Sequence, residues 1–226
     1  LDCRFVVRDC DDRLAHLGYR NALVGKLHLS PCIKTFGFHV KHGHEAPYAR
    51  YEPREPEQSA YMRWLRETAF RDDPEAPVRL ADADEYRPAA DMRFWHGTAW
   101  TDAAHHEATW MGNEGVRFLE EHDGASPFFL NVSFFGPHHP YAVPEPWGSM
   151  YDPAEVPLPE TFGAESDGPV FARSRAGTAE RNRADSGEAG FRKMIAQYYG
   201  YVSLIDHNIG RILDALEARG WTDETL

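Results

Sequence analysis

Gly18-Tyr19-Arg20-Asn21-Ala22-Leu23-Val24-Gly25-Lys26-Leu27-His28-Leu29 reads as a buried strand that stops on a lysine and a histidine. Tyr19 to Val24 is apolar enough for a sheet covered on both faces. Gly25 then allows a turn or a close backbone approach. Lys26 and His28, two residues apart, point to the same side if the extended conformation persists. The carboxyl end of a buried strand is the usual place for a site in an open α/β sheet. Spacing alone leaves two readings open: a functional pair, or a lysine stem that snorkels beside a satisfied polar histidine.

Upstream, Phe5, Val6, Cys10, Leu14 and Leu17 recur at helical steps, and Gly18 ends the pattern. A helix feeding a buried strand opens an α/β repeat. Asp11 and Asp12 face different directions on that helix and read as a solvated face. Downstream, Ser30 to Pro56 reads as irregular chain rich in Pro, Gly and His. His39, His42 and His44 could ligate zinc or copper, but no carboxylate or thiolate completes a ligand set, so the polar-loop reading is preferred. A short helix is expected over Ser59–Ala69, capped by Ser59, with Tyr61, Trp64 and Leu65 on one face. Residues 71–99 read as an acidic loop, and a helix is expected from Thr101 to His122, with His105 and His106 on its surface.

Pro127-Phe128-Phe129-Leu130-Asn131-Val132-Ser133-Phe134-Phe135 is a second strand of buried type, ending in Gly136-Pro137-His138-His139-Pro140-Tyr141. Prolines on both sides fix the backbone around the paired imidazoles, a pattern as compatible with structure as with function. Residues Glu160 to Gly190 have no apolar period and read as a mobile surface excursion. Tyr198, Val202, Ile205, Ile209, Ile212 and Leu216 then mark a long amphipathic helix closed by Gly220. Asp206 on it reads as a structural carboxylate, and Gly210 as a point of close helix–sheet packing.

The 226 residues suffice for one full core, and no apolar run approaches membrane-spanning length. A formal charge of −12 argues against a nucleic-acid surface, which needs a basic face. An acidic protein that handles an anion must concentrate its cations, and Lys26, Lys34 and Lys41 do so among the histidines. Cys3, Cys10 and Cys32 match no zinc signature. Compartment and oligomeric state have no signature in this sequence.

The opening stretch resembles the G-Y-x-T-x-x-x-G-K-W-H-L-G segment of the sulfatase family, with Asn21 for Thr, Leu27 for Trp and Ser30 for the last Gly. Pro-Phe-Phe-Leu-x-Val-Ser-Phe-x-x-Pro-His-x-Pro-Tyr, from Pro127 to Tyr141, resembles the second signature of that family. The final helix and Trp221 to Leu226 are similar to a third. Three signatures in order make chance agreement improbable.

The resemblance implies an α/β, alkaline-phosphatase-like fold: a mixed, mostly parallel sheet sandwiched between helices. It implies a sulfuric ester hydrolase acting on a small-molecule or saccharide sulfate through a formylglycine, with one calcium or magnesium ion. The residue matching Lys26 would bind a sulfate oxygen, that matching His28 would hydrogen-bond the formylglycine diol, and that matching His138 would contact sulfate or the leaving oxygen. His139 fills a variable place beside the substrate. Cys32 is followed by Ile33 and Lys34, so it does not form the C/S-x-P-x-R nucleophile motif. That motif and the carboxylates that hold the ion are expected outside residues 1–226, which would be the central part of a single catalytic domain. The segment alone is expected to be inactive and to carry no metal site. The rival readings are a phosphonate or phosphate monoester hydrolase of the same superfamily and a non-catalytic anion-binding relative.

Overall fold

The computed structural model describes residues 13–27, 35–44, 59–73, 96–99, 101–138, 141–163 and 170–226. The first predicted helix is therefore described only over its last turn, at 13–16, and His28, Lys34 and His139 lie outside the described residues. Two compact units are present.

The first unit comprises residues 1–79, 104–135 and 205–226. Its centre is β1, Arg20–Gly25, with Ala22 and Leu23 wholly buried, as its apolar run requires. β1 lies between β2, Val40–Gly43, and β4, Phe128–Ser133, and both pairings are parallel. β2 corrects the expectation of irregular chain across 30–56. Its four residues, Val-Lys-His-Gly, hold one apolar side chain, too few for a periodic signal. α1, Ala60–Glu67, has Ser59 as its cap, the side chain accepting from the Met62 N–H at 3.2 Å. Tyr61, Met62 and Leu65 form its buried face.

α2, Glu107–Glu121, starts six residues later than the sequence suggests. His106 is the cap: its Nδ1 accepts from the Ala108 N–H at 3.2 Å, and the residue is buried rather than superficial. Phe118 and Leu119 of α2, Ala22 of β1 and Leu216 form one buried cluster of the core, with Val40, Phe128, Leu130, Ile212 and Trp221 packed around it.

The second unit comprises residues 80–103 and 136–204. β3, His96–Thr98, and β5, Tyr141–Val143, pair in parallel, so the stretch 71–99 is not wholly loop. The helical backbone of α3 runs from Val170 to Ala218, with a break at Gly187. It replaces the expected excursion over 160–190 from Val170 onward. Glycine at 200 lets α3 rest on the turn at Trp147–Ser149, where a Cβ would stand 2.1 Å from the Trp147 carbonyl oxygen.

α3 also corrects the predicted buried stripe. Val202 and Ile209 are each 42% exposed, whereas Tyr201, Leu204 and Asn208 are buried. Gly210 has nothing within 4 Å of its Cβ position, so it is not the packing glycine. In the first unit that role falls to Gly112 and Gly115 of α2, whose Cβ positions lie 2.5 Å from Asn208 Oδ1 and 2.9 Å from Ile212 Cδ1.

Candidate functional site at the carboxyl end of β1

β1 ends on Gly25, whose φ of 95° suits glycine and strains any L side chain. A Cβ there would also lie 2.2 Å from the Ser133 carbonyl oxygen. Only glycine satisfies both the backbone angle and the approach of β4. The next peptide is held at both ends. The Gly25 carbonyl accepts from the His44 N–H at 3.0 Å, and the Lys26 N–H donates to the Ser133 carbonyl at 2.9 Å. Lys26 is therefore delivered to the carboxyl edge of the parallel sheet, half-buried. Its ammonium stands 4.9 Å from the centroid of the Phe135 ring, a cation–π placement that leaves the charge on one side of the ring.

His138 follows β4 and belongs to the second unit, where it is exposed. The segment leading to it contains a cis peptide between Gly136 and Pro137. Gly136 packs on Tyr201, with its Cβ position 2.3 Å from that ring. Tyr141, the last residue of the Pro-His-x-Pro-Tyr pattern, meets Tyr198 edge to face at 5.4 Å. Burial, and secondarily Tyr198, raises its phenol above the ordinary value of 10.0. Of the four predicted site residues, Lys26 and His138 are thus placed in separate units, and His28 and His139 fall outside the described residues.

The three histidines around β2 have distinct structural partners. His39 Nδ1 accepts from the Asn21 N–H at 3.0 Å, tying β2 to β1. His42 pairs with Glu114, which also holds Arg117. His44 is wholly buried, with Nδ1 2.9 Å from Ser59 Oγ and Nε2 3.1 Å from Glu107 Oε2. Sequence reasoning missed this Ser59–His44–Glu107 cluster. One signal was available: Glu107 and Glu114 fall on the same α2 stripe as Trp110, Met111 and Phe118, and acids on a buried stripe require partners.

Among the described residues, no group of three or more His, Cys, Asp or Glu side chains is placed to hold a metal ion. Among the same residues, no helix is long and apolar enough to cross a membrane.

Comparison with known proteins identifies the relatives. The family described as Sulfatase matches residues 12–226. An arylsulfatase of Clostridium perfringens is 28% identical over 217 residues, covering 92% of this chain and 43% of its own. The multifunctional alkaline phosphatase superfamily protein PehA of Trinickia caryophylli is 28% identical over 192 residues, covering 76% of this chain and 35% of its own. The crystal structure of a phosphonate monoester hydrolase from Agrobacterium radiobacter superposes with a TM-score of 0.60 at 21% identity, over 92% of this chain and 44% of that one. The chain thus spans less than half the length of these relatives.

Proposed function

Because the chain belongs to the sulfatase family and has its alkaline-phosphatase-like α/β fold, we propose that it supplies substrate-side residues of a sulfuric ester hydrolase. The observation that carries this reading is Lys26: a cation at the carboxyl edge of a parallel sheet, on a peptide held at both ends. In cleavage of a sulfate monoester, negative charge builds on the bridging and peripheral oxygens. A fixed ammonium stabilises that charge without reorganising as it develops. By resemblance to the family, His28 would hydrogen-bond the formylglycine diol, and His138 would contact sulfate or the leaving oxygen. His139 would contact the leaving group, a small molecule or a saccharide.

The described residues do not form a cradle for the calcium or magnesium ion expected of the family. The ion and the formylglycine enter this reading as contributions from other residues of the protein. A second reading, hydrolysis of a phosphonate or phosphate monoester, is supported by the phosphonate monoester hydrolase among the structural neighbours. It would use the same cation on a similar anion.

The test is turnover of 4-nitrocatechol sulfate and of an aryl phosphonate monoester by the full-length protein and its Lys26→Ala variant. Loss of one transition-state donor should lower kcat/KM by roughly 10²–10³. The ratio of the two substrates decides between the readings. Turnover of neither ester, or a Lys26→Ala variant within about threefold of the wild type, overturns the enzymatic role of Lys26.

A further inference from the structure

We infer that His44 is a positioning residue for Lys26, acting through the peptide that joins Gly25 to Lys26. The inference rests on the reading of Lys26 as an anion-binding group. Ser59 Oγ accepts from the Met62 N–H, so its own hydrogen is available to His44 Nδ1. His44 Nε2 then carries the hydrogen that is donated to Glu107. Tyr61 lies edge-on to the imidazole at 4.8 Å and Trp110 at 6.5 Å. One ring therefore joins the end of β2, the cap of α1 and the first turn of α2.

The cluster is not a nucleophilic triad. Ser59 is 1% exposed, and no ester can reach it. Its output is mechanical. The His44 N–H binds the Gly25 carbonyl at 3.0 Å, and the N–H on the other side of that same peptide is the one Lys26 donates to Ser133. A peptide unit is planar, so fixing its oxygen and its hydrogen fixes the direction in which the chain leaves it. The imidazole, held by two buried hydrogen bonds, thereby sets where the Lys26 stem begins. Without it, the buried Ser59 hydroxyl and Glu107 carboxylate each lose a partner and the end of β2 is released.

The test uses the full-length protein, with inorganic sulfate as the probe. Sulfate protection of Lys26 against acetylation is read by mass spectrometry, and exchange of the Lys26 backbone amide is read in parallel. His44→Ala is compared with His44→Gln, which restores a donor, and with Leu65→Ala, which destabilises the same region from the buried face of α1. The expected result is an approximately tenfold rise in the half-protecting sulfate concentration in His44→Ala, partly recovered in His44→Gln and absent in Leu65→Ala. The Lys26 amide should exchange about tenfold faster in His44→Ala than in Leu65→Ala. If His44→Ala does not fold, Glu107→Gln is read in the same way. Equal protection and equal exchange in the His44 and Leu65 variants overturn the positioning role. Absence of protection in the wild type instead overturns the anion reading of Lys26, and amide exchange then still decides the link from His44 to the peptide.

Discussion

Replacing Gly25 by alanine should cost far more than replacing any other positive-φ glycine that has open space around it. Three terms act. A left-handed φ costs an L residue about 1–2 kcal/mol. The new Cβ would stand 2.2 Å from the Ser133 carbonyl oxygen and 3.0 Å from Met111 Sδ, so backbone, not a flexible side-chain tip, must move. Overpacking of this kind costs about 1–3 kcal/mol. Moving β4 away also lengthens the bond from Lys26 to Ser133, worth about 1 kcal/mol. Together these reach roughly 3–6 kcal/mol, a large part of a typical domain's stability.

Gly18 isolates the first term, because its φ is 86° but nothing lies within 4 Å of its Cβ position. Gly43, the partner of Gly25 in β2, isolates the substitution itself, with its nearest neighbour the Lys41 Cε at 3.6 Å. Urea unfolding followed by circular dichroism should order the variants Gly43→Ala, Gly18→Ala and Gly25→Ala by increasing loss. With an m-value of about 2 kcal/mol/M, the Gly25→Ala midpoint should fall roughly 1–2 M below that of Gly18→Ala. A Gly25→Ala variant no less stable than Gly18→Ala would refute the claim that β4 presses on this residue.

Two further outcomes are expected. At Gly115 a Cβ meets Ile212 Cδ1 at 2.9 Å, Ile212 Cγ1 at 3.1 Å and Val132 Cγ2 at 3.2 Å, all side-chain atoms, and alanine gains helix propensity, so Gly115→Ala should stay within about 1 kcal/mol of wild type, while Gly115→Val should lose roughly 2 kcal/mol in the same unfolding assay. Tyr141 has a phenol raised above 10.0 by burial, so its contribution to stability is complete below pH 10 and is lost as pH rises through the higher folded value. A difference titration at 295 nm between wild type and Tyr141→Phe should show a late-ionising phenol, and one that ionises at or below pH 10 would contradict the burial.

What was legible in the sequence was local. β1 and β4 announce themselves because both are continuous apolar runs bounded by turn residues, and α1 because Ser59 stands where a cap must stand. β2 was invisible for the opposite reason: its extended conformation comes from pairing with β1, not from its own four residues. Periodicity identified the C-terminal part of α3 but not the face it buries. Val202 and Ile209 satisfy a helical stripe and are nevertheless exposed: in the second unit Tyr201 and Leu204 are the buried neighbours of Val202, and in the first unit the contact is centred on Asn208 and Ile212, opposite Gly112 and Gly115. The two glycines admit the helix closely enough for a polar Asn208 to be buried. Arg211 then joins it, donating to Asn208 at 2.9 Å and to Asn113 at 2.7 Å.

The same distinction separates Lys26 as a letter from Lys26 as a site. Its identity and its place after a buried strand are sequence properties. Its direction depends on register, with Gly25 opposite Gly43 on one side and Ser133 on the other. A slip of one residue in either pairing would turn the lysine to the opposite face of the sheet. The small residues at both partner positions make the close approach feasible. His44, one residue beyond Gly43, holds the end of β2 in register by anchoring it to α1 and α2. The geometry of the candidate site is therefore encoded by two signature residues that set the backbone, Gly25 and Ser133, together with Gly43 and His44, which belong to no signature.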